Sequence, residues 1–433
     1  MQTAQLLEIL ASHNQFWTAG RIDAGVERAA LARCLEQIET KEVVVLKGIR
    51  RCGKSTLLAQ ILAALLARGI APRQLLRLNL EEPLLVTAAS IELLERIYRT
   101  WRERVCPTGR GYIFLDEVQN IPGWEHWVRG RSETEDIKVF VTGSSAQLLS
   151  REIGTKLTGR HISFEIFPLS FAEHLRFHGI VVDGELDYCS RKAMIRHLFH
   201  TYLQYGGFPE VVLQETDAAR QLLLKHYFDD ILYRDIVSRH EIRDVSSLRH
   251  LAVFLLTNNA KLTSVNKLRS NFSISQDKTE NYLSAILESY LLFRLQRFSW
   301  SLKTVQRAGF KTYAIDTGLR NRVAFSFSQD LGRLVENVVH NHLRTCHEEI
   351  FFHSDGHETD FVVKEGLRLT SRIQVWYEDT AQTAIPAREL AAFASAGEDT
   401  RCLLLTNDLA AEHQVGPVKV QCLPVVRFLL GLG

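Results

Sequence analysis

The chain has 433 residues but only 7 cysteines, and no two of them form a Cys-x-x-Cys pair. That absence argues against a disulfide framework or a zinc site and for a reducing compartment. Long apolar runs are also missing: nowhere do the roughly eighteen apolar residues needed for a membrane span run together. Met1-Gln2-Thr3-Ala4-Gln5 has no basic segment leading into an apolar core, so no secretion signal is expected and the cytoplasm is the expected location. Neither sign of charge prevails. With 52 Lys and Arg against 50 Asp and Glu, the formal net charge is +2, and any affinity for nucleic acid has to come from a local patch. The composition, 46% hydrophobic and 24% charged, is ordinary for a soluble globular chain, long enough for two or three domains.

What is present centres on Gly48-Ile49-Arg50-Arg51-Cys52-Gly53-Lys54-Ser55. The apolar run Val43-Val44-Val45-Leu46 precedes it and Thr56-Leu57-Leu58-Ala59-Gln60-Ile61-Leu62 follows, which reads as buried strand, phosphate loop and helix. The chemistry dictates the spacing. Glycines let backbone N–H groups turn toward phosphate oxygens, Lys54 reaches the β- and γ-phosphates, and Ser55 is a Mg²⁺ ligand. Gly48, Arg50, Arg51, Cys52, Gly53, Lys54, Ser55 and Thr56 are the expected nucleotide contacts, at a helix N-terminus that favours anions. Cys52 is either a small filler or an oxidisable thiol within the loop.

A nucleotide site also needs a carboxylate on a neighbouring strand, and Tyr112-Ile113-Phe114-Leu115-Asp116-Glu117 supplies one. Four apolar residues make a strand covered on both faces, with two acids at its C-terminal end. Asp116 is expected to hold Mg²⁺, and Glu117 to polarise the attacking water. Further strands are expected at 73–80 and 138–142, and helices at 91–105 and in a segment ending near Thr40. Strand alternating with helix predicts a parallel sheet with right-handed crossovers. Trp124 and Trp127 read as local packing rather than base stacking. At the tip of 138–142, Ser144 and Ser145 are candidates for sensing the γ-phosphate, or else cap a helix at 146–149. In Leu157-Thr158-Gly159-Arg160, Arg160 is either a cation for the charge developing on the transferred phosphoryl group or an ordinary surface arginine.

These motifs, with Pro168-Leu169-Ser170-Phe171 and Tyr205-Gly206-Gly207-Phe208-Pro209-Glu210, resemble a family of predicted prokaryotic AAA-type ATPases over nearly the whole chain. The resemblance implies a P-loop ATPase domain followed by a C-terminal domain of unknown function with a nuclease-like core. It supplies no biological role.

Residues 198–237 are apolar at helical spacing, broken at Gly206-Gly207, and resemble the helical lid of such ATPases. From Val245 the order is helix, short helix, turn at Ser273-Ile274-Ser275, longer helix from Gln276 and two strands, which is a winged helix-turn-helix order. Residues 245–325 carry 12 Lys and Arg (249, 261, 267, 269, 278, 294, 297, 303, 307, 311, 320 and 322) against 4 Asp and Glu (277, 280, 288 and 316). That excess suits phosphate contacts, with Gln276, Lys278 and Asn281 toward duplex DNA bases and Lys303, Arg307 and Lys311 on the wing. The alternative is a packing or partner-binding module. The segment from about 331 resembles a PD-(D/E)xK nuclease core, which implies metal-binding roles for Glu336, Asp360 and Gln374. Trp376 stands where that pattern has lysine, so cleavage is not expected unless Lys364 substitutes.

The expected fold is therefore α/β: a parallel P-loop sheet in 1–175, a helical lid or linker in 176–244, a winged helix in 245–325 and a nuclease-like domain in 326–433. The expected ligands are ATP and Mg²⁺, with double-stranded DNA as a partner through 245–325, no membrane, and room for a homo-oligomer. The expected activity is an ATPase coupling nucleotide state to DNA or partner binding; the alternative is a nucleotide-gated signalling or defence effector.

Overall fold

The computed structural model describes residues 3–144, 159–324, 331–378 and 384–432. Two compact units result, Met1–Phe167 and Pro168–Gly433.

The first unit contains α1 (Thr3–His13), α2 (Phe16–Ala19), α3 (Ala30–Leu35), β1 (Val43–Lys47), α4 (Lys54–Ala67), β2 (Leu75–Asn79), α5 (Pro83–Val86), α6 (Ile91–Arg104), β3 (Gly111–Asp116), α7 (Trp124–Thr134), β4 (Ile137–Gly143) and β5 (His161–Glu165). The five strands are parallel, in the order β2-β3-β4-β1-β5. β3 and β4 are buried along their whole length, which accounts for their nearly unbroken apolar sequence. Phe114 and Phe140 stack between them, ring centroids 4.9 Å apart. Trp124 and Trp127 are buried in the apolar core beside Trp101, as packing residues.

Two features were not legible in the sequence. β4 lies between β1 and β3, so the acidic strand is two places from the loop strand, about 10 Å away, rather than its neighbour. The edge of β2 is closed by a side chain: Asn14 Nδ2 donates to the Arg77 carbonyl (3.0 Å), and Asn14 Oδ1 accepts from the Arg77 N–H (2.7 Å). That amide does for the edge what one residue of a further strand would do.

The second unit contains α8 (Phe171–Phe177), α9 (Glu185–Tyr205), α10 (Pro209–Val212), α11 (Asp217–Asp230) continued by a π-helical stretch (Ile231–Val237), α12 (Val245–Thr257), α13 (Val265–Phe272) and α14 (Gln276–Glu288). Asp244, Ser264 and Ser275 cap α12, α13 and α14 by accepting the N–H groups of Ser247, Lys267 and Lys278. An antiparallel pair follows, β6 (Leu292–Gln296) and β7 (Phe310–Ala314), with α15 (Leu302–Arg307) between them. Then come α16 (Thr317–Val323), α17 (Leu331–Cys346), β8 (Glu349–Asp355), β9 (His357–Glu365), β10 (Arg368–Val375), α18 (Ala387–Ala391), β11 (Arg401–Thr406), β12 (Ala411–Val415), β13 (Val418–Pro424) and α19 (Val425–Leu429). Strands β8 to β13 form one sheet, ordered β12-β13-β11-β10-β9-β8.

The first unit ends at Phe167 rather than at 175, and the expected divisions near 244 and 325 do not separate compact units. One apolar cluster joins Phe171 of α8, Phe199 of α9, Leu295 of β6, Tyr313 of β7, Val335 of α17 and Leu403 of β11, so these segments share a core. The Gly206-Gly207 break fits against the buried Asp316 carboxylate, which accepts from the N–H groups of Gly207 (2.7 Å) and Leu319 (2.9 Å). A Cβ on Gly206 would lie 2.1 Å from Asp316 Oδ1, so no larger residue fits there.

Candidate functional site

The loop between β1 and α4 is shaped by backbone constraints before any side chain acts. Gly48 has φ 156°, and a Cβ there would lie 2.1 Å from the Ile166 carbonyl oxygen. Gly53 (φ 97°) turns the chain into α4, while Arg51 holds φ 66° without being glycine. Arg28, buried although it belongs to no helix or strand, braces the loop: its guanidinium donates to the Cys52 carbonyl (2.6 Å) and the Phe167 carbonyl (2.8 Å). Burial pushes the Cys52 thiol up, which suits the filler role.

Lys54, also buried, donates through Nζ to the carbonyls of Gly48 (3.0 Å) and Ile49 (3.1 Å), and Nζ lies 3.5 Å from Glu117 Oε1. Thr142, at the end of β4, ties both acids together. Its hydroxyl donates to Asp116 Oδ1 (2.6 Å) and accepts from the Glu117 N–H (2.8 Å). Ser55 also bonds the Asp116 carboxylate, and Arg77 lies 3.8 Å from Asp116 Oδ2. Burial raises Asp116 above the ordinary carboxylate range, against the Thr142 and Ser55 bonds. Glu117 moves the other way: burial would raise it, but the Lys54 ammonium and the Gln119 amide hold it low and ionised. Lys54 is raised despite burial because Glu117 faces it. Arg50 pairs with Glu81 at 2.9 Å, and Thr56 is exposed at the start of α4.

A second cluster of charge lies within the second unit. Lys311, on β7, is buried, with Nζ 3.0 Å from Glu336 Oε1, 3.1 Å from Asp360 Oδ1 and 2.7 Å from Glu358 Oε1. The Tyr313 hydroxyl donates to Glu336 (2.7 Å), the Asp360 N–H donates to Gln374 Oε1 (3.1 Å), and Gln374 Nε2 donates to Glu389 (2.9 Å). Glu336, Asp360 and Gln374 therefore meet, around a lysine expected on a phosphate-contacting wing. That assignment is corrected: burial and three carboxylates leave Lys311 unavailable to phosphate. Lys364, the alternative to the lysine absent at Trp376, donates to both oxygens of Glu349 at 2.8 Å.

A model of the AAA domain matches residues 40–175, and one of a domain of unknown function, DUF8612, matches 196–330. An uncharacterized protein of Methanocaldococcus jannaschii is 32% identical over 371 residues, covering 83% of this chain and 80% of that protein. One of Haemophilus influenzae is 28% identical over 345 residues, covering 77% and 82%. The chain belongs to this family of AAA-domain proteins. Among solved structures, a Signal Transduction ATPase with Numerous Domains from Pyrococcus horikoshii, carrying a tetratricopeptide repeat sensor, is 14% identical with a TM-score of 0.28, covering 75% of this chain and 46% of that one. The RuvB Holliday junction branch migration motor of Thermotoga maritima is 14% identical with a TM-score of 0.31, covering 65% and 93%. Likenesses this loose say nothing further about the chain.

Within the AAA-domain unit, Ser144 is buried at the tip of β4 beside Gln119, whose Nε2 is 3.4 Å from its hydroxyl. Ser145, the expected helix 146–149, Leu157 and Thr158 lie outside the described residues. Arg160 is placed away from the site. Its carbonyl accepts from the N–H of Val43, the first residue of β1, and its side chain pairs with Glu133. The loop follows the last residue of that strand, about 13 Å further along at the ordinary rise. Thr142 and Arg28 are the site residues that sequence reading missed. Thr142 had one usable signal, a hydroxyl ending an apolar strand; Arg28 had none, because its partners are backbone carbonyls far along the chain.

Proposed function

We propose that the chain binds ATP with Mg²⁺ between the loop 48–55 and the acids Asp116 and Glu117, and hydrolyses it. The observation that carries this reading is the convergence of Lys54, Glu117, Asp116 and Thr142 at one end of a parallel sheet. Loop N–H groups and Lys54 bind and orient the β- and γ-phosphates. Asp116 and the Ser55 hydroxyl already share a bond, and this carboxylate and hydroxyl are the hard oxygen donors that suit Mg²⁺. The bound ion supplies charge neutralisation at the phosphate oxygens. Glu117, ionised and two strands from the loop, accepts a proton from the attacking water.

The proposal extends to coupling with DNA or a partner. The order α12, α13, α14, β6 and β7 reads as a winged helix, and Lys261, Lys267, Arg269 and Lys303 are exposed there. Lys278 is a weaker base-reading candidate than the sequence suggested, since it pairs with Asp244 at 2.6 Å. The Arg307 side chain lies outside the described residues. The carboxylate cluster of the second unit reads as closed by Lys311, which keeps nuclease cleavage out of the proposed activity. ATP hydrolysis by the purified chain, assayed with Mg²⁺ and with excess chelator and each with and without duplex DNA, tests the reading. The expected result is slow, Mg²⁺-dependent turnover that responds to DNA; Mg²⁺-independent turnover or none would refute it.

A further inference from the structure

We propose that Gln119 positions Glu117 for hydrolysis, its amide nitrogen holding the carboxylate and its amide oxygen taking one hydrogen of the attacking water. The inference rests on the hydrolytic reading of the site and adds a residue to it.

The geometry begins with the backbone. Glu117 adopts φ 56°, a left-handed conformation that turns the chain out of β3 into a single 3₁₀ turn, Val118–Asn120. Side chains two residues apart are thereby brought together, and Gln119 Nε2 donates to Glu117 Oε2 at 2.5 Å. The other carboxylate oxygen, Oε1, faces Lys54 Nζ at 3.5 Å. Each oxygen of the proposed base is therefore held from a different side. The same amide nitrogen lies 3.4 Å from the Ser144 hydroxyl, so Gln119 bridges the tip of β3 and the tip of β4.

The orientation of the amide is determined by its partners. Reversed, it would point its oxygen at the Glu117 carboxylate, two acceptors with no hydrogen between them. In the orientation present, Gln119 Oε1 is buried with no donor among the described residues. A buried carbonyl oxygen without a donor is unfavourable, and water is the donor a hydrolytic site brings. A water shared between Glu117 and Gln119 Oε1 has both hydrogens engaged and a lone pair free to face the γ-phosphorus. Its oxygen then bonds to that phosphorus as the bond to the β–γ bridging oxygen breaks, and ADP leaves with the electron pair. The proton passes to Glu117 and on to the released phosphate. An amide suits this place because it restrains the carboxylate without adding charge.

The test uses the full chain with Gln119→Ala, Gln119→Glu and Glu117→Gln, measuring Mg·ATP affinity and kcat separately. Gln119→Ala is expected to lower kcat tenfold or more while leaving the ATP Kd within about twofold, since orientation of a general base carries much of its contribution. Gln119→Glu keeps the length of the side chain but removes the N–H donor to Glu117, and is expected to lower kcat to a similar extent with the ATP Kd again within about twofold. A merely structural role would not separate kcat from Kd in this way. Hydrolysis lost in Glu117→Gln but untouched in both Gln119 variants overturns this inference alone. Wild-type rates in Glu117→Gln, or no hydrolysis by the native chain, overturn the underlying reading as well.

Discussion

Lys311 Nζ lies 3.1 Å from Asp360 Oδ1, and the ion pair joins the β6–β7 hairpin to the sheet that follows it. Glu336 and Glu358 complete the ring around the ammonium. Burial alone would lower the Lys311 pKa, but Tyr313 and the three carboxylates hold it well above the ordinary lysine value. The ammonium form therefore persists through the neutral range, and the attraction is lost only as pH rises past the usual range for lysine. Lys311→Met, similar in shape but uncharged, leaves the acids facing one another. It is expected to lower stability by about 3–5 kcal/mol, read from denaturant melts. A wild-type midpoint would mean that the cluster contributes nothing to holding the fold. The native chain is expected not to cut DNA with Mg²⁺ or Mn²⁺; cleavage that disappears in Asp360→Ala would contradict the closed reading.

Thr142 links the two acids of the first unit through one hydroxyl. Thr142→Val keeps the shape and removes both bonds, leaving the Glu117 N–H and Asp116 Oδ1 short of a partner at a cost of about 1–3 kcal/mol. Turnover should fall tenfold or more with ATP affinity little changed, because the acids rather than the loop lose their support. Full activity in this variant would show that the relay is dispensable.

How far the sequence revealed these sites follows from the range of the interactions. The loop 48–55, the strand carrying Asp116 and the helices from Val245 were legible because each depends on neighbours in the chain, on apolar runs and on helical spacing. The Thr142–Asp116 bond was not, because it requires knowing that β4 inserts beside β3. Lys311 was misread for a similar reason: its partners Glu336 and Asp360 lie 25 and 49 residues further on, and a count of local charge cannot see them. Strands β12 and β13 escaped notice because His413, Gln414, Lys419 and Gln421 dilute their apolar alternation.

Asp316 gives the second unit a pH signature. Burial raises its carboxyl to about 6, against the N–H bonds from Gly207 and Leu319. Unfolded, an aspartate titrates near 3.9, so between about pH 4 and 6 the folded state binds the extra proton. The associated stability is present below about pH 4 and is lost as pH rises through 6, about 3 kcal/mol in all. Thermal melts of Asp316→Asn should lack this part of the slope. An identical pH dependence in the native chain and the variant would rule out Asp316 as its source.

If α13 and the hairpin contact duplex phosphates, Lys267→Ala, Arg269→Ala and Lys303→Ala should each weaken binding across all sequences. Each should also reduce the salt slope of log Kd by roughly 0.9. Lys278→Ala should matter less, because Asp244 already engages that ammonium. An unchanged slope in the triple variant would turn the reading of this module toward a protein partner.

The central claim is that Lys54 and Glu117 divide the work, one binding phosphate and the other activating water. The most direct measurement compares Mg·ATP affinity and single-turnover hydrolysis in Lys54→Ala and Glu117→Gln. Lys54→Ala should lose nucleotide binding, whereas Glu117→Gln should bind ATP as the native chain does and fail to hydrolyse it. Native hydrolysis in Glu117→Gln, or native ATP affinity in Lys54→Ala, would contradict the account.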